Sequence, residues 1–167
     1  MRKLFRSEVI PLSKVPRGDE CERSERPLVL VVDDEPLVAK TLALILSGAG
    51  FTAIPVNSGS DALDMAQILR PAFLLTDVHM PGMSGVELAL TFNTSFPHCK
   101  VLLFSGTATA RDMQPAISAG IEFPILTKPV HPTQIIDYVS RSLAEGSSKA
   151  LPIIVNGYIY PTSFESI

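Results

Sequence analysis

The feature that most constrains the fold is a regular alternation of apolar runs with amphipathic segments. The apolar runs lie at residues 28–32, 51–56, 73–76, 100–104 and 123–127, and a segment with helical periodicity follows each of them. Continuous apolar runs are typical of parallel strands, because helical crossovers cover both faces of a parallel sheet. The pattern predicts five β/α units in a doubly wound α/β domain with a five-stranded parallel sheet.

Residues that favour helix ends agree with this alternation. Pro36 and Pro132 suit the first turns of the first and last helices, and Ser84 can cap the third. Pro115 would interrupt the interior of a helix, so we expect the fourth helix to begin at Asp112.

The two ends of the chain differ from this region in composition. Residues 1–26 hold seven of the fourteen Lys and Arg residues without a sustained apolar period, which predicts a flexible N-terminal extension. The domain itself is expected over residues 27–145. In the C-terminal tail, residues 146–167, apolar segments flank Asn156-Gly157 and predict a β-hairpin at 151–161, docked on the domain or a partner. A disordered tail is the alternative.

Composition argues against several classes of protein. Residues 27–167 carry seven bases and twelve acids, a net charge of −5, which disfavours nucleic-acid binding. Cys21 and Cys99 are far apart and no C-x-x-C occurs, so neither a disulfide framework nor a zinc site is indicated. No apolar run is long enough to span a membrane or to form a signal peptide, so a cytoplasmic protein is expected.

Polar residues follow four of the predicted strands. In a sheet of order 2-1-3-4-5 the first and third strands are neighbours at the switch point, where ligands bind beyond the carboxyl ends. The side chains expected to converge at this edge are the carboxylates Asp33, Asp34 and Asp77, with Ser105 and Lys128 beside them.

This set of side chains indicates phosphoryl chemistry. Neighbouring carboxylates repel each other by roughly 4 kcal/mol per pair at 4 Å, unless a cation lies between them. Oxygen ligands with open positions favour Mg²⁺ or Mn²⁺, which readily bridge phosphoryl oxygens. Lys128 and the Ser105 hydroxyl would then hold a phosphoryl group, and Asp77 would accept it as a nucleophile.

Four motifs in this order, VVDDEP, LLTDVHMPGMSG, LLFSG and LTKPV, resemble the receiver domain of two-component response regulators. The resemblance covers about residues 27–145 and implies the flavodoxin-like receiver fold. It implies that Asp77 is the phosphoacceptor and that Ser105 and Lys128 hold the phosphoryl group. It also implies a Mg²⁺ site formed by the side chains of Asp33, Asp34 and Asp77 and the main-chain carbonyl of His79.

The same resemblance implies a signalling role rather than an enzyme. We expect a stand-alone switch that receives its phosphoryl group from a histidine kinase or phosphotransfer protein and acts on an unknown downstream protein, with dimerisation left open. The His79 side chain and Thr107 are implied to border the site and to tune acyl-phosphate hydrolysis. Family members usually carry an aromatic residue three positions before the lysine, and this chain has Ile125 there. The aromatic part of the family's switch is therefore not expected here, unless Phe123 takes that role.

Two other classes of function remain as alternatives. A Mg²⁺-dependent phosphatase of the haloacid dehalogenase type also forms an aspartyl phosphate at a strand end. Such enzymes place a second aspartate two residues after the nucleophile as acid and base, and here that position is His79. A phosphate-independent interaction module centred on the apolar tail is the other alternative.

Overall fold

A computed structural model describes residues 26–144 in full and the backbone of two short strands in the C-terminal tail. The predicted flexible extension, except Arg26, lies outside the described residues. The strands are β1 (Leu28–Val32), β2 (Thr52–Val56), β3 (Phe73–Asp77), β4 (Lys100–Ser105) and β5 (Ile125–Thr127). The helices are α1 (Pro36–Gly48), α2 (Gly59–Leu69), α3 (Gly85–Ser95), α4 (Gln114–Ser118) and α5 (Pro132–Ala144).

The five strands form one parallel sheet in the order β2-β1-β3-β4-β5, which confirms the predicted doubly wound fold. Side chains of a strand alternate between the two faces of the sheet. Val29 and Val31 of β1 therefore join the core under α1 and α5, whereas Leu30 and Val32 join the core under α2 and α3. All four are buried, as continuous apolar strands require.

Two predicted boundaries in the second half of the chain were wrong by two residues. Helix α4 begins at Gln114 rather than Asp112, and Pro115 lies in its first turn, where the missing N–H costs no helical bond. Strand β5 begins at Ile125 rather than 123, and Phe123 is buried in a cluster with residues of α3 and α4. Phe123 is thus apolar because it packs against α3 and α4, and only the later part of the apolar run, from Ile125, forms the strand.

The longest helices, α1 and α5, have 13 residues each. Within the described part of the chain, no helix has both the length and the apolar character needed to cross a membrane.

A second, two-stranded sheet lies within the segment predicted to form a hairpin. Strands β6 (Ile153–Val155) and β7 (Tyr158–Tyr160) pair in antiparallel fashion. The backbone of β6 runs close to β5, the edge strand of the parallel sheet.

Candidate functional site

Asp33 and Asp77 lie side by side at the carboxyl ends of the two central strands. Asp77 is the last residue of β3, Asp33 directly follows β1, and Val32 is paired with Thr76. Both carboxylates are buried, with residues 3% and 7% exposed. Buried charges of one sign are unfavourable without a partner, so this pair requires a cation.

Lys128 supplies that charge. Its Nζ lies 2.7 Å from Asp77 Oδ1 and 3.1 Å from Asp33 Oδ2. The lysine follows β5 and is placed by its main-chain N–H, which donates to the carbonyl of Ser105 at 2.8 Å. Its ammonium group also lies 4.7 Å from the ring centroid of Phe104, a favourable cation–π distance.

The protonation state of Lys128 follows from these contacts. Burial acts to lower the pKa of Lys128, but the hydrogen bonds and negative charges of Asp77 and Asp33 outweigh it and raise the pKa above its ordinary value. The ammonium group is therefore charged at neutral pH.

Main-chain amides hold the remaining carboxylate oxygens. The N–H of Glu35 donates to Asp33 Oδ1 at 2.9 Å, and the N–H of His79 donates to Asp77 Oδ2 at 2.6 Å. The side chain of Asn57 donates to the carbonyl of Asp33 at 3.1 Å. Both carboxylates are thereby fixed in orientation before any ligand arrives.

The predicted convergence of three carboxylates is only partly observed. Asp34 is exposed and lines an open cavity together with His79, whereas Asp33 and Asp77 face Lys128. Among the described residues, no group of three His, Cys, Asp or Glu side chains is gathered as a metal site. Asp34 lies in the bend between β1 and α1, where the chain has left the sheet, and its side chain is exposed to solvent.

The donor chemistry nevertheless fits Mg²⁺. Proteins hold Mg²⁺ through one or two carboxylates, with waters completing its coordination. Asp33 and Asp77 present only oxygen donors, and each carboxylate oxygen keeps a free acceptor position beside the bonds described above.

Ser105, His79 and Asp112 form a row of polar side chains along the edge of the site. Ser105 is 1% exposed at the end of β4, and its Oγ lies 3.5 Å from His79 Nδ1. The Nε2 of His79 lies 3.3 Å from Asp112 Oδ2, in the loop before α4. The Thr107 N–H donates to Ser105 Oγ at 3.3 Å. The expectation that His79 and Thr107 border this region agrees with these contacts.

Gly85 is a site-forming residue that the sequence reasoning missed. A Cβ at Gly85 would lie 1.8 Å from the main-chain oxygen of Asp77, so only glycine lets the first turn of α3 approach the Asp77 segment. Ser84 caps this turn, accepting from the N–H of Glu87 at 3.2 Å. The signal in the sequence is a glycine at the first helical position, where helix formers are preferred.

The sequence predicts Asp112 only as a helix start. It instead binds its own loop, accepting from the N–H and Oγ1 of Thr109, both at 2.7 Å. The spacing of Thr109 and Asp112 is that of a capping box, which would have indicated a fixed turn at this point.

Comparisons with known proteins agree with the fold. The response regulator receiver domain family model matches residues 29–140. The DNA-binding response regulator MtrA of Mycolicibacterium smegmatis is 29% identical over 132 residues, which are 79% of this chain and 57% of that protein. The chain thus spans little more than half the length of such curated relatives.

Solved receiver structures are also similar. The signal receiver domain of the response regulator NarL from Mycobacterium tuberculosis is 27% identical with a TM-score of 0.61, covering 72% of this chain and 98% of that one. A CheY-like receiver domain from Methanospirillum hungatei is 22% identical with a TM-score of 0.66, covering 72% and 95%, and supports the fold alone. The chain therefore belongs to the response regulator receiver domain family, the phosphorylation-dependent signalling modules of two-component systems.

Proposed function

We propose that this chain is a switch in which Asp77 accepts a phosphoryl group from a histidine kinase or a phosphotransfer protein. The observation that carries the proposal is the buried Asp77 carboxylate, fixed at the end of β3 with a charged lysine 2.7 Å away. A carboxylate oxygen of Asp77 forms the new bond to phosphorus, and the bond from phosphorus to the donor breaks with its electron pair leaving on the donor.

The surrounding residues have separate roles. The side chains of Asp33, Asp34 and Asp77 and the main-chain carbonyl of His79 would hold Mg²⁺, in keeping with their oxygen donors. Bound Mg²⁺ supplies positive charge to the phosphoryl oxygens. The Ser105 hydroxyl at the end of β4 would donate its hydrogen to a phosphoryl oxygen once it turns from His79.

Lys128 stabilises the charge that develops on the phosphoryl group. Its ammonium group already lies 2.7 Å from the Asp77 carboxylate, so positive charge stands beside the reacting group before phosphorus is attacked. A preorganised charge is worth more than one recruited from solvent, because no ordering cost arises during the reaction.

Output is proposed to go through protein contacts. The net charge of −5 over residues 27–167 disfavours direct contact with nucleic acid. The relative MtrA is a DNA-binding regulator and is longer than the matched region, so its DNA binding is not carried over to this domain. The loop from Gly106 to Met113 and helix α4 border the site and are the proposed route to a partner.

The test is labelling of the purified protein by acetyl phosphate, followed by intact mass with and without Mg²⁺. We expect one Mg²⁺-dependent phosphoryl adduct in the wild type and none in Asp77→Asn. Asp64→Asn is a matched control, because Asp64 is an exposed aspartate on α2. A wild type without adduct, or an adduct retained in Asp77→Asn, would overturn the proposal.

The phosphatase alternative is tested with the same preparations. Sustained release of phosphate from p-nitrophenyl phosphate, over many turnovers, would favour an enzyme. A switch is expected to show only the single labelling event.

A further inference from the structure

We infer that Asp112 is a positioning residue that holds the His79 ring against Ser105 and so restrains the phosphorylation switch in its resting state. The inference rests on the proposed function, since it concerns how Ser105 becomes available to a phosphoryl group on Asp77. It is carried by one continuous row of contacts from Ser105 through His79 to Asp112.

The two contacts of the His79 ring are complementary. One tautomer of the neutral ring satisfies both: Nε2–H donates to Asp112 Oδ2 at 3.3 Å, and Nδ1 accepts from the Ser105 hydroxyl at 3.5 Å. In this arrangement the single hydroxyl hydrogen of Ser105 is directed at His79. It cannot at the same time be donated to a phosphoryl oxygen on Asp77.

Asp112 is well placed to hold the ring. Its Oδ2 accepts from the N–H and the Oγ1 of Thr109, each at 2.7 Å, and these bonds fix the carboxylate within the loop before α4. The His79 side chain is itself about half exposed, so few other contacts restrain it. The carboxylate of Asp112 therefore determines where the imidazole stands.

The consequence is a coupling between the phosphorylation site and the loop before α4. When Ser105 turns to a phosphoryl group, His79 Nδ1 loses its donor and the row is interrupted. The aromatic position of the family is occupied here by Ile125, which is partly buried in the α3–α4 cluster and carries no ring. The His79–Asp112 contact gives this chain a route to α4 that does not depend on an aromatic side chain.

The experiment measures the affinity of the 167-residue chain for the phosphoryl analogue beryllofluoride with Mg²⁺. The titration is followed through the amide signals of the loop before α4. An exposed ion pair or hydrogen bond of this kind is worth a few-fold in an equilibrium, so Asp112→Ala should raise the affinity about two- to fivefold. In a His79→Leu background the same substitution should leave the affinity unchanged. Asp112→Asn keeps an acceptor oxygen and should remain close to the wild type.

Thr109→Val separates this role from a general loosening of the loop. It removes the hydroxyl bond to Asp112, but the Thr109 N–H bond still holds the carboxylate beside His79, so the effect of a looser loop should be the same with and without His79. An equal effect of Asp112→Ala in both backgrounds, or no effect in the wild type, would overturn the inference. If the wild type also fails to be labelled by acetyl phosphate, the proposed function falls and the inference falls with it. If acetyl phosphate labels the wild type normally but Asp112→Ala has the same effect with and without His79, only the inference is overturned.

Discussion

At the carboxyl ends of β1 and β3, one lysine compensates two buried carboxylates. Asp33 and Asp77 each use one oxygen for a main-chain amide and the other for Lys128. Removing the lysine would leave two like charges in a site that is almost closed to water. Breaking a buried pair from one side costs more than the pair contributes, because the remaining charge has lost its partner.

We therefore expect Lys128→Met to lower the free energy of unfolding at pH 7 by about 2 to 3 kcal/mol, somewhat less than for a fully buried pair because the lysine is partly exposed. The pKa of Lys128 is raised in the folded protein, so its contribution is present below about pH 10.5 and is lost as the pH rises through the folded pKa. Chemical denaturation of both proteins across this range measures the difference. Lys40→Met, on the exposed side of α1, is the control, and an equal loss there would contradict the assignment.

Burial raises the pKa of the Cys99 thiol, whereas burial by itself lowers the pKa of a lysine. The Cys99 thiol is buried just before β4, and burial raises the pKa of Cys99 to about 12. Because the thiolate is the reactive form, we expect Cys99 in a Cys21→Ser variant to resist iodoacetamide at pH 8 and to react fully in denaturant. Mass spectrometry after timed quenching measures this, and rapid alkylation of the folded protein would contradict it.

Helix α3 is the element whose first turn packs directly on the main chain of Asp77 and Val78. Its N-terminus is fixed by a capping box, in which Ser84 and Glu87 each bond the main chain of the other. Its first residue, Gly85, donates its N–H to the carbonyl of Val78 at 3.0 Å. The helix thus packs on the main chain that carries Asp77, and the position of Asp77 depends on that approach.

Gly85→Ala should move the Asp77 segment or the start of α3, because its methyl group would overlap the Asp77 carbonyl. We expect a loss of stability of about 1 to 3 kcal/mol and slower labelling by acetyl phosphate. Gly48→Ala is a matched control, since a Cβ there meets no atom within 4 Å. Thermal unfolding and intact mass report the two effects, and equal behaviour of both variants would show that the close approach is unimportant.

Across the whole molecule, stability is expected to be uneven. Residues of β1 and β3 are almost completely buried, whereas α4 has five residues, of which only Ala116 is buried. Segments with few buried contacts open locally at a lower free energy than the core. Helix α4 is therefore expected to open more easily than the central strands.

Hydrogen exchange of the unphosphorylated protein tests this distribution. We expect amides of α4 to exchange faster than those of β1 and β3, by on the order of a hundredfold or more after correction for intrinsic rates. Exchange detected by NMR at several pH values gives the rates residue by residue. Equal protection of α4 and the central strands would mean that the domain opens only as one cooperative unit.

At the same scale, the sequence by itself determined the β/α alternation, the parallel sheet and the strand ends that carry Asp77, Ser105 and Lys128. These follow from the local pattern of apolar residues, because burial on one or both faces imposes a period on every segment. It did not determine the start of α4 or β5, since the packing of Phe123 and the placement of Pro115 depend on neighbouring elements.

Only the tertiary structure decided which side chains of the site touch. Lys128 bonds Asp77 across 51 positions and Asp33 across 95, and no local pattern relates residues at such separations. The exposed position of Asp34, the close approach of Gly85 and the His79–Asp112 contact likewise depend on how loops leave the sheet. Periodicity reports how deeply a residue is buried, whereas the partner of a buried charge is set by the register of strands that are distant in the chain.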